Sequence, residues 1–100
     1  MPKTKPERPT TPDPLAAAEG ALDAGRHAEA LALAEALFAE GGDRPAVWRL
    51  RAKAREGLGW MEAALALARE GVERHPASAM LRVGLGKLEM QLGHDAAATE

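Results

Sequence analysis

The sequence predicts an all-α domain built as an antiparallel helix-pair solenoid, with two complete 34-residue repeats and a partial third. Three observations carry this expectation. Gly25, Gly59 and Gly93 stand 34 residues apart, and so do Ala30, Ala64 and Ala98. Leu31, Leu33 and Ala34 match Leu65, Leu67 and Ala68 in the same phase. A fixed period of this size marks a stacked repeat array. Between the breakers, apolar residues recur at three- and four-residue spacing, the period of a helix face. No stretch alternates with period two over strand length, and β-branched residues are scarce.

Residues 1–12 are expected to form a disordered, proline-rich tail. Pro2, Pro6, Pro9 and Pro12 fall there, and proline lacks an amide donor and restricts the residue before it. Pro6, Pro9 and Pro12 have the PxxP spacing of a proline-rich ligand, a spacing that arises by chance in such a stretch. The helical repeat domain is expected over 13–100, with repeats at about 11–44, 45–78 and a truncated 79–100.

Asp13 can accept from the free amides of a first helix, and Pro14 fits its first position. This helix should run to about Ala24 and stop at Gly25. A second follows from about His27 to Glu40, with Ala30, Leu31, Ala34, Leu37 and Phe38 on one face and Gly41-Gly42 at its end. Asp43 is the expected cap of a third helix over about 45–57. Val47, Leu50, Ala54 and Leu58 form its stripe, with Trp48 beside them. The fourth should span about Trp60 to Arg74, turning Ala64, Leu65, Ala68 and Val72 inward before His75-Pro76. Ser78 is placed to cap a fifth from Ala79 to Leu92, with Leu81, Leu85, Leu88 and Leu92 as its apolar face. Only Asp95 to Glu100 remain to begin a sixth. Helices joined by turns this short pack antiparallel.

The composition narrows the function. One hundred residues allow one small domain. A formal charge of -2 gives no electrostatic pull toward nucleic acid. Without cysteine there is no disulfide and no thiolate zinc site. No apolar run is long enough for a membrane span, and no signal-peptide core opens the chain. A soluble, cytoplasmic protein is expected, and the Ala/Leu/Arg/Gly bias fits a high-GC bacterial source.

These residues resemble the tetratricopeptide repeat family. Trp48 takes the family's Trp place, Ala52 its small-residue place, Ala64 its Ala and Pro76 its closing Pro. Leu85-Gly86 falls at the Leu-Gly place of the third repeat, and Ala98 at its Ala. The first repeat keeps Ala18 and Ala30 and has Gly42 at the closing Pro place. Departures are Arg51 for Leu, Arg55 for Tyr, and Ala34 and Ala68 for Phe. The two arginines are expected to pack their stems over the neighbouring helix and send their charges to water.

No catalytic constellation is present. Ser78 reads as a cap. His27, His75 and His94 lack metal-type spacing and read as surface turn residues. The run Gly84-Leu85-Gly86-Lys87 lacks phosphate-loop spacing and lies inside a helix, where its amides are committed. Arg44, Arg49, Arg51, Lys53 and Arg55 form a basic run that a helix spreads around its circumference, so nucleic acid is not expected. No cofactor and no metal are expected either.

The family resemblance implies a non-catalytic protein–protein interaction scaffold, with the first helix of each pair lining a concave groove for a peptide or protein partner. The groove places are Leu15, Glu19 and Leu22, then Ala46, Arg49, Lys53 and Glu56, then Met80, Val83, Lys87 and Met90. The binding residues are expected among Arg49, Lys53, Glu56, Met80, Val83, Lys87 and Met90. That mixture of cations and apolar groups suits an acidic peptide with apolar anchors. Some family members hold a C-terminal carboxylate; the matching Leu15, Glu19, Leu50, Met80 and Gly84 cannot do so. A second expectation is that the chain is the N-terminal helical part of a larger bacterial enzyme, such as a sulfotransferase or glycosyltransferase. A third feature is the last helix: with Leu81, Leu85, Leu88 and Leu92 only partly covered, three readings stand open, namely a piece of a longer protein, self-association through this face, or a marginally stable monomer that tolerates the small apolar area.

Overall fold

The computed structural model describes residues 13–93. These form α1 (Pro14–Asp23), α2 (His27–Ala39), α3 (Pro45–Gly57), α4 (Met61–Arg74) and α5 (Ala79–Gln91), with no strand among them. The fold class is all-α, as the periodicity predicts. The tail and the start of a sixth helix lie outside the described residues.

The repeated glycines end helices in the same way. Gly25 and Gly59 take φ of 84° and 86°, a region open to glycine at no steric cost. The Gly25 amide donates to Leu22 O at 3.1 Å, and the Arg26 amide to Ala21 O at 2.8 Å. The Gly59 amide donates to Glu56 O at 3.0 Å, and the Trp60 amide to Arg55 O at 2.9 Å. Both are the paired closing bonds that satisfy the last carbonyls of a helix. The ends fall one residue inside expectation, with Ala24, Glu40 and Leu92 as flanking residues and Trp60 preceding α4.

Two of the three expected caps form. Asp13 Oδ1 accepts from the Leu15 amide at 3.3 Å, and Ser78 Oγ from the Leu81 amide at 3.2 Å. The third does not. Arg44 precedes α3 without a side-chain cap, because the Asp43 carboxylate is held by groups on α3 and at the end of α4.

Each helix packs on the next, and α1 with α3 and α3 with α5 also touch, while α2 and α4 do not meet. The core is small and alanine-rich. Ala18, Ala34 and Leu50 form one cluster, and Ala21, Ala30 and Ala54 a second. Ala52, Ala64, Leu65, Ala68 and Leu88 form a third. Alanine lets helices approach closely but removes little apolar area from water. Trp48 supplies the bulk. It is buried, meets Phe38 edge-on at 5.1 Å between centroids, and packs against Gly71 of α4. A Cβ on Gly71 would lie 3.2 Å from Trp48 Cβ, a tight contact that would press on the Trp48 side chain.

Arg51 and Arg55 differ from expectation. The Arg51 side chain is mostly buried and its charge is not sent out to water. It is 11% exposed, lies 4.0 Å above the Phe38 ring and 4.6 Å from that of Trp48, and donates from Nε to Glu35 Oε2 at 3.0 Å. Arg55 Nη1 is 2.7 Å from the same oxygen. Burial pushes the Glu35 carboxyl up, but hydrogen bonds from the two arginines outweigh this and hold it below its ordinary value. One period later the pair recurs with its charges exchanged. Positions 35 and 55 become Arg69 and Glu89, 3.7 Å apart.

The leucine face of α5 is less open than the sequence suggests. Leu81 and Leu88 are buried, and only Leu85 and Leu92 are half-buried. Met80, Val83 and Met90 are the exposed apolar residues of this helix.

Candidate binding groove

α1, α3 and α5 touch in series and supply most of one side of the molecule. Two hollows lie along it. The larger, about 530 Å³, takes Arg49, Lys53 and Glu56 from α3 and Met80, Val83 and Lys87 from α5. The smaller, about 270 Å³, takes Glu19, Leu22 and Asp23 from α1, Ala46 and Arg49 from α3, and Met80. Arg49 and Met80 belong to both. Of the seven expected binding residues, six surround the larger hollow. Met90, 69% exposed, lies apart from it. Leu15 also stays outside both hollows and packs on the cluster around Leu50.

The hollows obey the sequence period. Adding 34 to Glu19, Leu22, Ala46 and Arg49 gives Lys53, Glu56, Met80 and Val83. Their charges differ. Around the larger one stand Arg49, Lys53 and Lys87 against Glu56; around the smaller, Glu19 and Asp23 face Arg49. Lys53 Nζ lies 4.0 Å from Glu56 Oε1, a loose surface contact. The larger hollow is thus a cationic rim around an apolar interior, where Ala52, Ala68, Leu81 and Leu88 lie beneath Met80 and Val83. Ala52, Ala68 and Gly84 were not among the expected site residues. The signal for them is the 34-residue register, which sets Gly84 opposite Leu50.

A second polar cluster surrounds Asp43. Its Oδ1 accepts from Trp48 Nε1 at 2.6 Å and lies 2.8 Å from His75 Nε2, and Arg74 pairs with Oδ2. The Trp48 bond, then His75, then Arg74 hold its carboxyl at about 2, below the ordinary 3.8. A carboxyl this acidic is ionised at neutral pH and cannot act as a general acid. It ties the α2–α3 turn to the end of α4. His75 is therefore part of a clamp and not a free surface turn residue. His27 is likewise half-buried, its ring over Gly57 with Nδ1 unpartnered. His94 lies outside the described residues.

Among the described residues no group of carboxylates and histidines could hold a metal ion, and no helix is long and apolar enough to cross a membrane. Compared with known proteins, the chain matches no family model, no curated protein and no solved structure.

Proposed function

We propose that this chain is a non-catalytic protein-interaction module of tetratricopeptide-repeat type, which holds a segment of a partner protein along α1, α3 and α5. The observation that carries this is the larger hollow. Three cations and one carboxylate rim an interior of alanine, leucine and methionine side chains. Met80 and Val83, 42% and 55% exposed, stand at its edge. Such a surface favours an acidic segment that carries apolar side chains. Cations steer and orient the carboxylates, and methionine adapts to the apolar contacts. The 34-residue phase, the short inter-helix turns and the serial contact of alternate helices support the repeat-type arrangement.

Peptides selected on the immobilised chain from a displayed random library should be rich in Asp, Glu and apolar residues. The double variant Lys53→Glu, Lys87→Glu should bind them about tenfold more weakly or worse. Equal binding by wild type and double variant would show that the groove is not the binding face.

A further inference from the structure

The larger hollow is about twice the volume of the smaller, and the repeat register explains why. Where α3 packs on the first helix pair, Leu50 lies fully buried in a cluster with Ala18 and Ala34. Moving each position on by 34 gives Gly84, Ala52 and Ala68. All three line the larger hollow. The second interface therefore keeps the two alanines and lacks the leucine side chain that covers them in the first. The alanines record the loss. Ala18 and Ala34 are 0% exposed, whereas Ala52 and Ala68 are 8% and 7% exposed.

Packing does not call for a glycine at position 84. A Cβ there meets nothing within 4 Å, unlike Gly71, where it would press on Trp48. Glycine also weakens a helix interior, and Gly84 lies in the middle of α5. The hollow is bounded by α3, α4 and α5, the last three described helices, and lies on the groove side.

We propose that the space over Gly84 is a side-chain slot. An acidic partner segment seats one leucine-sized side chain against Ala52 and Ala68, in the place Leu50 occupies one repeat earlier. Arg49, Lys53 and Lys87 take the flanking carboxylates. This rests on the groove being the binding face, and it names what the groove selects.

The test uses fluorescein-labelled peptides selected on the wild-type chain, together with the variants Gly84→Leu and Gly84→Ala. Replacing the anchoring apolar residue of a selected peptide by alanine should weaken binding to wild type roughly thirtyfold, the value of a few buried methylene groups. Gly84→Leu fills the slot from within. It should raise Tm and weaken peptide binding about tenfold or more, while Gly84→Ala should raise Tm with a smaller loss of binding. A lower Tm in Gly84→Leu would mean that the space does not accept the side chain, which overturns the slot. Peptides that bind Gly84→Leu as well as wild type also overturn it, while leaving the groove intact if Lys53→Glu, Lys87→Glu still weakens them. Peptides indifferent to all these changes remove the groove itself, and failure to select any peptide overturns both.

Discussion

The contact that α3 makes with α1 and α2 and the contact that α5 makes with α3 and α4 use the same positions and fill them differently. In the first, Trp48, Leu50, Arg51 and Arg55 enter the interface, with Phe38 and Glu35 opposite. In the second, those positions hold Arg82, Gly84, Leu85 and Glu89, and Val72 and Arg69 stand opposite. The first is dense and holds a stacked guanidinium; the second rests on half-buried Leu85, on Leu88 and on an exposed ion pair. The backbone period thus tolerates very different fillings. The ion pair shows that complementarity is kept between repeats while the sign is free to change.

The largest effect should come from making the first interface resemble the second. Leu50→Ala removes a fully buried side chain and should cost about 2–5 kcal/mol in urea unfolding. A loss below about 1 kcal/mol would mean that Leu50 closes nothing and that the two interfaces do not differ as described.

The ion pairs should separate next. Glu35→Ala strips both Arg51 and Arg55 of a partner. With the Arg51 side chain 11% exposed, the cost should be on the order of 1–3 kcal/mol. Glu89→Ala breaks a contact whose Arg69 side chain is 51% exposed, and should change stability by about 0.5 kcal/mol or less. Equal losses, measured by the same unfolding curves, would erase the contrast.

A pH-dependent difference concerns the turns. Asp43 anchors the turn before α3, and its counterpart before α5 is Ala77. The Asp43 carboxyl titrates at about 2 when folded against 3.8 ordinarily. Its contribution is complete above the ordinary value and fades as pH falls through the folded one. Asp43→Asn should therefore lower Tm near neutrality, and the gap from wild type should narrow between about pH 5 and about pH 2. A gap constant with pH would show that the anchor does not depend on the charge.

Much of this was legible in the sequence where one residue decides the outcome locally. Gly25 and Gly59 end helices through their own backbone, and Asp13 and Ser78 cap through a bond two or three residues away. Asp43 has the same chemistry, and the sequence cannot show that Trp48, Arg74 and His75 draw its carboxylate elsewhere. The fate of Arg51 was hidden for a similar reason, since Glu35 lies on another helix and neither residue has a periodic signal. The groove positions are implied by the tetratricopeptide resemblance, and six of the seven expected residues share one hollow. The depth of that hollow depends on an absence, Gly84 set against Leu50, visible only when the repeats are laid over each other and the alanines beneath are known to touch.

The contact pattern has a mechanical consequence. Among the described residues no helix touches one more than two places away along the chain, so no distant strand or helix clamps the ends together. A pull on the two termini passes through the helix contacts in series. Such an arrangement yields at its weakest joint and peels in steps rather than all at once.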